Sequence, residues 1–290
     1  MQGLLEAPES GVCRNRYILL QGPIMTSEKS LTPEEKWEKA TIANNFIFYK
    51  VMRNNPDICK ELLEILLQIK IDHIDMKQEE TIEIDYGKKG VRLDVYAVGG
   101  SKAFNLEMQS TDTGELPERA RYYQGILDVD NLDSGEDYKD LKDSYIIFIC
   151  IPDIFNKGLA KYTFENLCIE NPKIKLNDRT YKYFFIAENY DKISDERQKA
   201  FLKLVTSNES TNAFAQRISH MVEEAKHNLR WKKQFMDFER EKSYSFREGA
   251  KQKAIETASN LLKMNLGTPE QIAQASDLPL EKVKELASKL

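Results

Sequence analysis

Apolar residues first recur at helical spacing from Thr32 onward. There T-P-E-E offers an N-cap, a proline at the first helical position and early acids. The spacing predicts one amphipathic helix over about 33–53 and another over about 57–69, separated by Asn54, Asn55 and Pro56. Their residues Ile47, Phe48, Val51, Leu62, Leu63, Ile65 and Leu66 are assigned to a shared core. The period then falls to two. TIEIDYG and VRLDVYAV read as strands, and Gly99-Gly100 marks a tight turn into AFNLEMQ. Helical spacing returns from about Pro117, followed by the apolar strand YIIFICI at 145–151 and a further strand, YKYFFIA, at 181–187. Strands mixed with flanking helices predict an α/β sheet.

From Asp195 the pattern is almost wholly helical. Over 213–245, Phe214, Ile218, Met221, Ala225, Leu229, Phe235 and Phe238 stand at helical spacing, and basic residues outnumber acids. A long helix packing on the core or on a partner subunit is the plain reading, and phosphate contact is the sharper one. The last segment, TPEQIAQASDLPLEKVKELASKL, opens on a capping box at Thr268 and Gln271. It predicts two short helices joined near Asp277–Pro279, as a plain hairpin or as a helix-turn-helix, which share the same spacing.

Composition narrows the classes. Of 290 residues, 41% are apolar and 31% charged, ordinary for a chain with a real core. No apolar run approaches the roughly 18 to 20 residues that cross a bilayer, so no membrane segment or membrane partner is expected, and the few, widely spaced cysteines fit a reduced, cytoplasmic chain. The first 25 residues lack the layout of a signal peptide and read as a disordered tail or as sequence ahead of a start at Met25. Four scattered cysteines without a C-x-x-C pair, and three histidines without H-E-x-x-H, argue against a zinc site, a disulfide framework and a Ser-His-Asp triad. The net charge of −5 gives nucleic acid no general attraction, so any contact with it must be local.

The chemistry concentrates on the hairpin. With Gly99–Lys102 taken as a four-residue connection, antiparallel pairing sets Val98 against Ala103, Tyr96 against Asn105, Asp94 against Glu107 and Arg92 against Gln109. Alternation then gathers Val91, Leu93, Val95, Ala97, Phe104, Leu106 and Met108 on a core face. Arg92, Asp94, Tyr96, Asn105, Glu107 and Gln109 share the other. Two carboxylates opposite one another, with Cβ atoms about 5 Å apart, repel unless offset. A shared proton, a salt bridge to Arg92 or a hard cation would each do so, the last keeping waters for a substrate. A solvated polar face neutralised by Arg92 is the bland alternative. Gln109, two residues beyond Glu107, adds an amide able to orient a water.

D-x12-E-x-Q on adjacent strands resembles the PD-(D/E)XK nuclease pattern, with glutamine replacing the usual lysine. The wider text is similar to the Rpn family of recombination-promoting nucleases, also described as PD-(D/E)XK nuclease family transposases. The stretches that carry the similarity are ANNFIFYKVM, GVRLDVYAV, NLEMQ, LPERARYYQGILDVDNLDSGEDYKDLKDSYIIFIC and the helical C-terminus, about residues 40–290. The resemblance implies a restriction-endonuclease-like mixed α/β sheet flanked by helices, with a helical C-terminal region. It also implies Mg²⁺-dependent (or Mn²⁺-dependent) cleavage of double-stranded DNA and a link to mobile elements. Asp94 and Glu107 would bind the metal, and Gln109 would stand where the lysine normally stabilises the attacking hydroxide. One departure matters: where the family usually has aspartate in N-D-x-x-F, Asn45 stands here. Glu80 or Glu83, on the preceding strand, would then supply a supporting acid.

Arg119, Arg121 and Gln124 follow as candidates for DNA phosphate, Arg121 and Gln124 being helical neighbours. Packing of Tyr122 and Tyr123, with the arginines paired to acids such as Glu118, is the alternative. The domain reading is a tail over 1–30, a nuclease-like domain over 31–210, a long helix over 211–255 and a helical hairpin over 256–290. The function expected is a metal-dependent endonuclease. The alternative is a catalytically weakened DNA-binding or oligomerising regulatory protein that keeps the fold, with the C-terminal helices joining copies into a homo-oligomer.

Overall fold

A computed structural model describes residues 31–77 and 93–290. The tail over 1–30, the strand TIEIDYG, Glu80, Glu83 and Arg92 lie outside the described residues. Thr32 opens α1 (Pro33–Lys39) with a reciprocal cap, its hydroxyl accepting from the Glu35 N–H while the Glu35 carboxylate accepts from the Thr32 N–H. The single helix expected over 33–53 is two helices. Ala40 leaves the helical region at ψ 136°, and Asn44 starts α2 (Asn45–Asn54) by accepting the N–H groups of Phe46 and Ile47. Apolar periodicity runs through this break because both helices bury the same side, Trp37 with Ile47, Phe48 and Val51. Pro56 then begins α3 (Pro56–Leu67), whose Leu62, Leu63, Ile65 and Leu66 join that cluster.

Six strands form one sheet: β1 (Asp75–Met76), β2 (Val95–Gly99), β3 (Lys102–Gln109), β4 (Asp143–Cys150), β5 (Lys161–Phe164) and β6 (Thr180–Ile186). Their spatial order is β1-β2-β3-β4-β6-β5. The central β3, β4 and β6 run parallel, and the remaining pairs are antiparallel. A parallel centre needs crossover connections and cover on both faces, which is why β3 and β4 read as nearly continuous apolar runs. The short edge strand β5 carries no such signal.

The hairpin register is the expected one, Tyr96 facing Asn105 and Val98 facing Ala103. Two details differ. The turn is tighter than a four-residue connection, because Gly99 pairs with Lys102 and Gly100 takes φ +56°. Gly99 is also required, since a Cβ there would lie 2.3 Å from the His73 carbonyl oxygen. At the other end, the strand expected over VRLDVYAV begins only at Val95, and Asp94 sits in a bend. Alternation therefore fails below Val95: Leu93 packs in the cluster opposite Val95, with Tyr96 and Tyr123.

The sheet thus has two cores. One face carries Val95, Ala97, Phe104, Leu106 and Met108 against α1–α3, α5 (Glu196–Ser207) and α6 (Ala213–His227). The face with Asn105, Glu107 and Gln109 is not the solvated surface of a hairpin. It lies under α4 (Leu116–Asp130), which buries Leu116, Ala120, Tyr123, Ile126 and Leu127 there. Polar anchors hold α4 along its length. Arg119 meets Glu107 and Gln109 near its start. Gln124 bonds Ser144 in the middle, and Asp128 accepts from the same hydroxyl at 3.2 Å. At its end, Tyr96 donates to Asp130 and accepts from Asn131, both at 2.7 Å.

The long helix expected over 211–255 is also two helices. Asn228 ends α6 and caps α7 (Leu229–Lys263) by accepting the Trp231 N–H. α6 and the first turns of α7, through Phe235, pack in the main core. Residues 240–253 of α7 are exposed throughout. Beyond them, α8 (Pro269–Ser276) and α9 (Leu280–Ala287) fold back on α7 around Ala258, Ile272 and Val283. No helix among the described residues is long and apolar enough to cross a membrane.

One loop fixes how β4 hands over to β5. Asp153 accepts from the N–H groups of Phe155, Lys157 and Gly158 and from the Tyr162 hydroxyl. Burial pushes its carboxyl up, but these bonds outweigh that and hold it below the ordinary range. Asp153→Ala should therefore cost about 1–3 kcal/mol in urea unfolding, the scale of several lost bonds to a charged group. Because the folded-state value is depressed, the charge-dependent part of the difference should be full above about pH 4 and be lost as pH falls further, through the lowered folded-state value.

Candidate functional site

Three residues of β3, two apart, point to α4: Asn105, Glu107 and Gln109. Glu107 is 1% exposed. A carboxylate so deep requires partners, and three surround it. The Asp94 N–H donates to Oε1 at 3.0 Å, and Arg119 Nη2 lies 3.3 Å from Oε2. The third is the Asp94 carboxylate, a like charge, whose Oδ2 accepts from the Met108 N–H at 3.4 Å. Burial first, and then Asp94, push the Glu107 carboxyl well above its usual range, while the Asp94 N–H and Arg119 pull it down. Asp94 and Glu107 are thus brought together just beyond the last ladder pair, Val95–Leu106.

Arg119 is held from several sides. Its Nε and Nη2 donate to the Tyr123 hydroxyl at 3.3 and 2.9 Å, and its Nη1 donates to Gln109 Oε1 at 3.3 Å. Its guanidinium carbon stands 5.4 Å from the Tyr123 ring centre and 5.8 Å from that of Phe148. Burial and Glu107 raise the Tyr123 hydroxyl above its ordinary range, so the ring stays neutral beside the cation. Among the described residues the arginine that meets Glu107 is Arg119, from α4, while the salt bridge expected from Arg92 lies outside them.

Asp94 also faces the other way. Together with Asn45, Phe46, Tyr49 and Phe238 it lines a cavity of about 160 Å³ between α2, β2 and α7. Asn45, at the first turn of α2, therefore shares a cavity with one of the two acids. Among the described residues, no group of three Asp, Glu, His or Cys side chains is arranged to hold a metal.

Other expected site residues are placed differently. Arg121 is exposed on the outer side of α4. Gln124 is buried, its amide nitrogen donating to Ser144 and to Asp128, so it lies inside the α4–β4 contact and not beside Arg121 at the surface. The helical neighbour relation of Arg121 and Gln124 overlooked that i and i+3 straddle the edge of the buried stripe. Tyr123 and Phe238 were not singled out for the site. The Arg119–Tyr123 spacing of four on a helix was the available signal for the first, whereas nothing local points Phe238 at Asp94.

A profile of PD-(D/E)XK nuclease family transposases matches residues 43–259. The chain belongs to this family. The match covers the sheet, both acids, α4 and most of α7, and a mixed sheet flanked by helices is the family's PD-(D/E)XK-like α/β fold. No curated protein and no solved structure matches the chain.

Among the described residues two buried side chains keep polar atoms without a clear partner, Gln124 at Oε1 and Asn105 at both amide atoms. Asn105 is fully buried, and among the described residues neither amide atom makes a well-formed hydrogen bond, although the side chain stands close enough to Glu107 to help pull its carboxyl down. An unpaired buried amide is costly, about 1–3 kcal/mol. Asn105→Leu should accordingly change stability by no more than about 1 kcal/mol in chemical denaturation, relief of the amide offsetting the lost contact with Glu107, whereas a larger loss would mean the amide is paired in solution.

Proposed function

We propose that the chain is a metal-dependent DNA endonuclease in which Asp94 and Glu107 hold a divalent cation, Mg²⁺ or Mn²⁺. The observation that carries this reading is a buried carboxylate, Glu107, sharing its surroundings with a second carboxylate. Like charges so placed repel, Arg119 offsets only part of this and leaves the Glu107 carboxyl well above its usual range, and a bound cation would offset the rest. The donor set suits a hard metal. Mg²⁺ is commonly bound through one or two carboxylates, with waters and substrate phosphates completing its shell. When bound there, the cation would lower the pKa of a water and polarise the scissile phosphoryl group.

The residues themselves do the rest. Asp94 opens the site to the cavity beside α2, which is the approach for a phosphodiester. Gln109 orients the attacking water, Arg119 supplies positive charge beside Glu107, and Arg121, exposed on the outer side of α4, meets DNA phosphate away from the scissile bond. The double-stranded DNA partner and the cleavage role in recombination or transposition rest on family membership. A second copy of the chain is the further partner. In support, the exposed middle of α7 leaves Tyr244 and Phe246 at 62% and 77% exposure. Such an assembly would sediment as a dimer or larger.

Purified protein incubated with plasmid and Mg²⁺ should nick or linearise it, and EDTA should stop this. Asp94→Ala and Glu107→Ala should each lower cleavage by about 100-fold or more while circular dichroism stays native. Normal cutting by either variant would remove the assignment. Asn45→Asp should place a second carboxylate beside Asp94 in the cavity both residues line. It should tighten Mg²⁺ uptake by about tenfold in calorimetry, since affinity for hard cations follows ligand charge.

A further inference from the structure

We propose that Arg119 is a positioning residue that sets Gln109 as a hydrogen-bond donor and supplies, from α4, the positive charge that the third motif position lacks. This rests on the nuclease reading above.

The case begins with valence. An arginine side chain has five N–H donors and no acceptor. The Gln109 atom lying 3.3 Å from Arg119 Nη1 must therefore be the carbonyl oxygen. That fixes the amide, because Nε2 is then directed away from the guanidinium. Among the described residues no acceptor takes a hydrogen bond from Gln109 Nε2, although the side chain is 7% exposed and stands two residues from Glu107. An amide nitrogen donates only, so Gln109 cannot take a proton from the attacking water. What it can do is donate to that oxygen as negative charge grows on it.

Arg119 itself is built to hold one position. Tyr123 accepts two of its N–H groups, the Tyr123 and Phe148 rings flank its guanidinium, and Glu107 takes the remaining edge. A side chain committed at three sides keeps its geometry, so the charge behind Gln109 does not need to be gathered when substrate arrives. The same contacts place the guanidinium beside Glu107, so Arg119 attenuates the pull of that carboxylate on any cation.

Two consequences separate this role from a merely structural one. Arg119→Met should lower the rate constant for plasmid cleavage by about 100-fold. In calorimetry it should bind Mg²⁺ as tightly as wild type or a few-fold tighter, because a competing cation has gone. Gln109→Lys placed in the Arg119→Met background should then recover at least about tenfold of the lost rate, since the charge is restored at the position where it acts. Gln109→Glu, which removes the donor, should not be active with either residue at 119.

Loss of Mg²⁺ uptake together with cleavage in Arg119→Met, with no recovery from Gln109→Lys, would overturn the proposal and leave Arg119 a strut for Glu107. Cleavage by Arg119→Met within threefold of wild type would overturn it as well. Either result leaves the nuclease reading intact if wild type cuts. Wild-type protein that neither takes up Mg²⁺ nor cuts would sink that reading, and this inference with it.

Discussion

A carboxylate with almost no access to water, placed beside a second carboxylate, is the constraint around which this molecule is arranged. Moving an ion out of water costs several kcal/mol even after relaxation, and removal of one partner from a buried pair costs about 3–5 kcal/mol. Glu107 therefore dictates where α4 must start. Arg119, in the opening turns of that helix, is the residue that meets it. The βαβ crossover from β3 through α4 to β4 then follows from two requirements at once. The parallel strands need a covering helix, and the covering helix needs a cation at its beginning. Gln124 on Ser144 and Tyr96 on Asp130 fix its middle and end, so α4 has no freedom to slide and carry Arg119 off the acid.

Asp94 has the opposite character. It stands where the strand gives out, in a bend one residue before β2, and so escapes the alternation that would have buried it fully. Its backbone N–H serves Glu107 while the residue lines the cavity beside α2. An acid held by the sheet but open to the outside is what a site for an extended, charged substrate needs. In the proposed site the buried member would fix geometry and the member that lines the cavity would admit the ligand. Asn44, by capping α2, sets the position of Asn45 in that cavity. A helix cap and a sheet terminus thus together define one wall of the site.

Much of this was legible from one dimension. The pairing of Tyr96 with Asn105 follows from strand alternation and a two-glycine turn, and it carries Asp94 to Glu107 without further information. What the pattern concealed was cover. Asn105, Glu107 and Gln109 read as a wet face because polar residues alternate with apolar ones, and nothing in the hairpin announces a helix lying over it. The clue lay downstream, in the apolar stripe of α4 at Leu116, Ala120, Tyr123 and Leu127, which needed an opposite surface. The breaks at Ala40–Asn44 and at Asn228 were missed for a related reason. Consecutive helices that bury one side against the same core preserve apolar periodicity across the cap, and only the asparagine reveals the interruption.

Glutamine at 109 and arginine at 119 make sense as a pair. Two cations about 4 Å apart repel by about 4 kcal/mol at an effective dielectric constant of 20. With Arg119 already anchored by Tyr123 and Glu107, a lysine at 109 would bring a second positive charge to the guanidinium, to which Gln109 now presents its oxygen. A neutral amide accepts from the arginine on one side and donates on the other, passing polarisation toward the carboxylates without adding charge. On the proposed reading, the substitution that looks like a defect in the motif is the residue type that suits a site with Arg119 on α4. In the proposed site the cationic function would sit not on the strand but on the helix that covers it.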